Sequence, residues 1–248
     1  MTHLGRRMFA VAFIAFGVLQ FLYVDFVPGR PPAWPDALYG GWIWAYASGA
    51  CFVVAGIALI ADRHAKLAAF SIAALVFAWA VTRNLPLALA DPTFGGAWTR
   101  LGKAVALSGG ALAVAASARH GDRRRMDPLT LVGRCALGLF LINSGIQHFL
   151  FTGAVITLMP AWIPGPRWWA YITGVALAAG GVGLIVPRTA RIAGLGVGLM
   201  LFTWVCMLHI PRALAAAAAN QRNEWSAVFE ALAFSGLALV LARRSSAR

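Results

Sequence analysis

The hydrophobic positions of this chain come in long runs. Stretches of about 20 mostly apolar residues, the length a membrane-crossing helix needs, recur along it and are separated by short segments rich in Arg, Pro and Trp. Eight such runs are predicted: Met8 to Val27, Tyr39 to Ala61, Leu67 to Ala90, Leu101 to Ala118, Leu129 to Phe151, Trp168 to Val186, Ile192 to Ile210, and Trp225 to Ala242. Lipid offers the backbone no water to hydrogen-bond, so each run is expected to be helical. The two-residue alternation of barrel strands is absent. The expected fold is therefore all-α, an integral membrane protein with eight transmembrane helices.

The runs also repeat. Gly17 matches Gly145, Gln20 matches His148, Phe21 matches Phe149, and Ala33-Trp34 matches Ala161-Trp162. Three residues out of step, Trp44-Ala45-Tyr46 then pairs with Trp169-Ala170-Tyr171, Gly49 with Gly174, and Ile60 to Lys66 with Ile185 to Arg191. The chain reads as a tandem duplication: residues 1–118 form one four-helix unit, 119–128 a basic cytoplasmic linker, and 129–248 the second unit. Four crossings per half, an even number, make the two units parallel rather than inverted repeats.

Charge sharpens the topology. Hydrophobic residues make up 60% of the chain and charged ones only 12%, against about a quarter charged in a soluble domain. The formal charge of +13 would suit nucleic acid if it formed a soluble patch, but the Arg and Lys residues punctuate apolar runs, so nucleic-acid binding is not expected. Thirteen of the 21 Lys and Arg residues fall on one side of the eight-run topology, seven on the other, and Arg134 begins the fifth run. By the positive-inside rule this predicts a multi-pass protein of the bacterial-type inner (plasma) membrane with both termini cytoplasmic. The first run aligns with an internal one, so it is expected to remain a span rather than be cleaved as a signal peptide. Cys51, Cys135 and Cys206 lie inside apolar runs without C-x-x-C spacing and point to neither a disulfide framework nor a thiolate metal site.

The opposite side carries Pro28, Pro31, Pro32, Pro35, Pro160, Pro164 and Pro166 with Trp34, Trp42, Trp162, Trp168 and Trp169. Tryptophan prefers the headgroup level and proline stiffens loops. These segments read either as an interfacial belt or as a rigid lid over an outward-facing pocket, with Trp162 among its residues.

Ionisable groups inside spans are costly and mark candidate sites. Asn143, Ser144, Gln147 and His148 form an arc near the outer end of the fifth run. His209 closes the seventh run, and Glu224, Ser226 and Glu230 open the eighth, so all are expected near the outer surface. The first half places Gln20, Asn84 and Lys103 at the positions of His148, His209 and Glu230, with Arg83 and Arg100 adding positive charge and Asp25 nearby. Lys103 or Arg83 is expected to neutralise Glu230 across the two halves, because an unpaired charge at that depth would lose its charge instead. His148 and His209 could hold a divalent metal with Glu230, ligate a haem, hydrogen-bond a quinone or similar ligand, or cap helix ends. The candidate ligand-binding residues are Asn143, Gln147, His148, His209, Glu230 and Trp162. No metal site is assigned, and the cofactor is left open with a quinone ahead of haem or metal.

One resemblance can be named on these residues. Gly145, His148-Phe149, Pro160 to Pro166, Tyr171, Gly174, Gly180 to Arg191 and His209 to Pro211 resemble the pattern of the DoxX-like family of small polytopic membrane proteins. Members typically have one four-helix unit, so this chain looks like a fused pair. The first half departs from the pattern at Gln20, Asn84 and the Asp62-Arg63 turn. The resemblance implies a link to respiratory redox chemistry, since some members are similar to the quinone-reducing subunit of thiosulfate oxidation. The expected function is a redox-associated subunit binding a quinone-like or other small ligand in an outward polar pocket, with a non-catalytic carrier or assembly subunit as the alternative. Expected partners are the lipid bilayer, a redox subunit and a second copy of the chain. Whether the protein is an enzyme is left open.

Overall fold

A computed structural model describes residues 1–27, 40–118 and 127–242. The upstream Pro/Trp loop with Trp34 and most of the basic linker, including Arg119 and Arg123 to Arg125, lie outside the described residues. Regular structure among the described residues is all helical: α1 (Thr2–Tyr23), α2 (Gly41–Ile60), α3 (Ala65–Trp79), α4 (Leu85–Ala90), α5 (Gly95–Ser117), α6 (Pro128–Leu150), α7 (Thr152–Thr157), α8 (Pro166–Ile185), α9 (Ala190–Trp204), α10 (Ile210–Ala215) and α11 (Gln221–Leu241). Seven stretches are long and apolar enough to cross a membrane, with α3 and α4 counting as one and α9 and α10 as another. This suits a multi-pass helical membrane protein.

The helix α5 falls outside that set. Its 23 residues reach about 35 Å at 1.5 Å per residue, enough to cross, but Arg100, Lys103 and its Gly and Ser residues lower its hydropathy. It also begins at Gly95, earlier than the expected Leu101, because those cations sit on its first turns.

Neighbouring helices close a ring. In sequence α1 packs on α2, α2 on α3, α3 on α5, α5 on α6, α6 on α8, α8 on α9, α9 on α11, and α11 returns to α1, while α5 and α11 also touch each other across the middle. The halves thus interlock through α5 against α6 and α1 against α11. Small residues make this possible, since helices in lipid associate by close packing. A Cβ built on Gly145 would fall 2.6 Å from the Gly174 carbonyl oxygen, and one on Gly236 the same distance from that of Gly5. Between them an aromatic ladder fills the first half: the Phe9 and Phe13 rings lie 4.6 Å apart, and Phe13 meets Phe52 edge-on at 5.1 Å.

The two composite spans share an unusual device. A π-helical turn, Ala80–Asn84, joins α3 to α4, and another, Val205–His209, joins α9 to α10. Leu85 N–H reaches back five residues to Ala80 O, and Ile210 N–H to Val205 O. Pro86 and Pro211 follow immediately. Proline lacks an N–H and collides with the carbonyl four residues back, and the widened turn beside it lets the helix continue beyond the points where Pro86 and Pro211 are expected to interrupt it. Asp127 begins α6 by accepting a 2.9 Å hydrogen bond from Leu129 N–H, an ordinary N-cap.

Candidate functional site

The ends of α1, α4, α6 and α10 and the beginnings of α5 and α11 converge at one end of the bundle. They enclose a cavity of about 960 Å³. Phe26, Val27, Phe94, Phe151, Ala154 and Leu158 supply apolar walls, and Thr99, Arg100, Lys103, Gln147, Arg212, Arg222, Asn223 and Glu224 supply polar ones. α5 aims its charge inward because Thr99, Arg100 and Lys103 occupy one side, while Trp98, Leu101, Gly102 and Val105 occupy the adjoining side.

Ion pairs tie this end together. Lys103 Nζ lies 2.6 Å from Glu230 Oε2, joining α5 to α11 across the two halves. Arg212 holds Glu224 bidentately, Nε to Oε2 at 3.1 Å and Nη2 to Oε1 at 2.6 Å, while its Nη1 donates to Leu158 O at 2.9 Å. Arg222 Nη1 lies 2.7 Å from Asp25 Oδ2, pinning α11 to the end of α1. Arg100 has no ion-pair partner among the described residues. Four lining cations therefore face three carboxylates, and the cavity keeps an excess of positive charge. Arg83 stands behind this lining, its guanidinium 5.8 Å from the Phe26 ring centre.

Across α5 and α6, Thr99 Oγ1 donates to Gln147 Oε1 at 2.8 Å. In the nearby loop Asp91 Oδ1 accepts from Thr93 Oγ1 at 2.6 Å and Thr93 N–H at 3.1 Å. The Thr93 hydroxyl bond is the main reason the Asp91 carboxyl titrates below its ordinary value.

The sequence-predicted residues divide. Gln147 lines the cavity, and Lys103 lines it while holding the buried Glu230. Arg83 does not line it. Asn143 lines a smaller groove between α5 and α6. Trp162 is 60% exposed and, with the exposed Trp168 and Trp169, has the placement of an interfacial belt.

His148 lies in the α6–α8 seam. Its Nδ1 is 2.7 Å from Ser144 O, and a Cβ on Gly174 would meet the His148 Cβ at 2.9 Å. The next residue, Phe149, stacks on Tyr171 with ring centres 5.6 Å apart. The first half repeats the stack with Phe21 on Tyr46 at 5.8 Å, and buried Gln20 donates to Ala45 O at 3.0 Å and to Ser48 Oγ at 2.6 Å. The His-Phe, Tyr and Gly positions of the repeat are thus helix-packing contacts. His209 sits half-buried on the π-helical turn and does not line the cavity. Among the described residues no three His, Cys, Asp or Glu side chains gather to hold a metal ion.

Arg212, Arg222, Asn223 and Thr99 are cavity residues that the sequence reading does not single out. For the two arginines the available signal was position: each lies at a helix end on the side poor in Lys and Arg, close in sequence to Glu224.

A family model described as a domain of unknown function (DUF8561) matches residues 137–243. The match runs from the third turn of α6 through α11 and so takes in His148, Gly174, His209, Glu224 and Glu230. No curated protein and no solved structure matches the chain.

Proposed function

We propose that this protein is a DoxX-like membrane protein of eight spans, two parallel four-helix units, whose cavity at one end of the bundle binds a small ligand from the outer side of a bacterial-type inner membrane. Both termini then lie in the cytoplasm. The cavity's excess of donors over acceptors carries the reading: Arg100, Lys103, Arg212, Arg222 and Asn223 offer N–H groups beside an aromatic and aliphatic wall. A ligand whose head carries acceptors or negative charge on an apolar body suits such a lining. In the redox-associated setting that the resemblance implies, a quinone-like head is the first class to test, its carbonyl oxygens accepting from Lys103 or Arg100.

The proposal is tested by purifying the protein in mild detergent, extracting it and identifying co-purifying small molecules by mass spectrometry. A molecule enriched with wild type and lost from a Thr99→Val, Gln147→Leu variant supports the cavity as its site. Extracts without any enriched molecule, or one retained unchanged by that variant, would remove the basis of the reading. The alternative of a non-catalytic carrier draws on the matched π-helical turns of the two composite spans, since such turns recur at functional sites.

A further inference from the structure

A second space adjoins the cavity. Between α5 and α6 runs a groove of about 330 Å³ lined by Trp98, Gly102 and Val105 on one wall and by Leu139, Phe140 and Asn143 on the other. Its sides are single helical faces at three- and four-residue spacing. From Trp98 to Val105 it follows α5 for about 10 Å at 1.5 Å per residue. Leu139 is 61% exposed, so the groove opens sideways on the surface that lipid covers.

The groove exists because the same two helices are close at one end and wedged apart at the other. Deep in the bundle a Cβ on Gly133 would meet the Ala113 Cβ at 2.6 Å and Gly109 O at 2.9 Å. Towards the cavity the contacts across the pair are made by rings: a Cβ on Gly102 would lie 3.3 Å from the Phe140 ring, and one on Gly95 3.3 Å from that of Phe151. Along one stripe of α6, Leu139 and Asn143 line the groove, and Gln147 and Phe151, the next positions at four-residue spacing, line the cavity. Thr99 and Gln147, hydrogen-bonded to each other, stand where the two spaces meet.

We infer that the cavity ligand is an anionic amphiphile drawn from the surrounding bilayer, its phosphate or carboxylate head beside Arg100 and its tail in the α5–α6 groove. This rests on the reading that the cavity holds a ligand, and it names the class. The charge inventory selects the head: Lys103, Arg212 and Arg222 already face Glu230, Glu224 and Asp25, while Arg100 has no carboxylate of its own among the described residues. A guanidinium at the edge of a partly dry cavity favours an anion over a neutral head. The groove selects the tail, since its lining is apolar apart from Asn143, which sits next to the head site.

The full-length protein is reconstituted in nanodiscs of dioleoyl phosphatidylcholine containing a minority of dioleoyl phosphatidic acid, and retained lipid is counted by native mass spectrometry. Glycerol phosphate, titrated separately, serves as the tailless probe. Phosphatidic acid should be retained over phosphatidylcholine, and Arg100→Gln should lower that retention about tenfold, the worth of one charge-assisted contact. Gly102→Trp should fill the groove and reduce lipid retention while leaving glycerol phosphate binding unchanged. Val105→Trp, at a partly exposed position, does the same without crowding Phe140 and guards against misfolding of the first variant.

Unchanged retention in Arg100→Gln overturns the head assignment, and unchanged retention in both Trp variants overturns the tail. Glycerol phosphate binding as tight as the lipid's would make the ligand a soluble anion, and a dimer closed over the groove would make its occupant a second copy. If a neutral molecule co-purifies and is lost with Thr99→Val, Gln147→Leu while phosphatidic acid is ignored, the cavity reading stands and this inference falls. If nothing is held, both fall.

Discussion

The Lys103–Glu230 contact is the clearest single link between the two halves, and its strength can be worked from its geometry. At 2.6 Å two unit charges attract by about 6 kcal/mol if the effective dielectric constant is about 20. Removing both groups from water offsets much of that, but removing one partner leaves the other charged and buried, which costs about 3–5 kcal/mol. The Glu230 side chain is 4% exposed and that of Lys103 19%, so a remaining Lys103 can still reach cavity water while a remaining Glu230 cannot. Lys103→Met is therefore the harsher change, about 3 kcal/mol or more, and Glu230→Gln the milder, about 1–2 kcal/mol.

For a chain of this size about 3 kcal/mol corresponds to a melting temperature lower by about 6–12 °C. Fluorescence-detected size exclusion after heating in detergent reads this directly. The charge-swapped pair is the sharper test. Lys103→Glu places two carboxylates together and Glu230→Lys adds a cation to an already positive cavity, so each alone should lose folded yield. Combined, they should recover most of it, with a coupling energy of about 2 kcal/mol. Additive losses, with no recovery in the double variant, would refute the reasoning.

Other consequences follow from the same contacts. Gly145→Val would drive a side chain into the Gly174 backbone and should abolish monodisperse folded protein, whereas Gly196→Ala, with nothing within 4 Å, should raise thermal stability by about 0.5–1 kcal/mol through helix propensity. Arg212→Gln breaks the bidentate hold on Glu224 and should cost about 1–2 kcal/mol, seen as faster proteolysis of the α10–α11 junction. The Asp91 carboxyl, held down chiefly by the Thr93 hydroxyl, should titrate below the ordinary aspartate value, as followed by carboxyl carbon NMR. Because its folded value is depressed, the loop contact is fully present above the unfolded value and is lost as pH falls through the folded one. Thr93→Val should move the midpoint upward, and an unmoved midpoint would assign the shift to the backbone instead.

The helices were legible because lipid leaves the backbone one way to satisfy itself, so length and apolarity alone locate most of them. The repeat is a reading of residues; the structure adds two π-helical turns, Ala80–Asn84 after α3 and Val205–His209 after α9. The early start of α5 was hidden by Gly95, Gly96 and Arg100, which resemble a loop until the cavity gives Arg100 a place. The π-helical turns left no mark beyond a proline, because the extra residue is a feature of hydrogen bonding and not of composition.

What the chain's order of residues determined by itself is therefore most of the long helices and the identity of the polar residues near one end. Which of those residues share a cavity was decided only by tertiary packing. Gln147 and His148 are neighbours in sequence but point about 100° apart around α6. The close approach of Gly145 to Gly174 turns His148 into the α6–α8 seam and leaves Gln147 facing Thr99. The ion pairs that organise the cavity likewise join residues distant in sequence, and no local periodicity encodes which helix faces will meet.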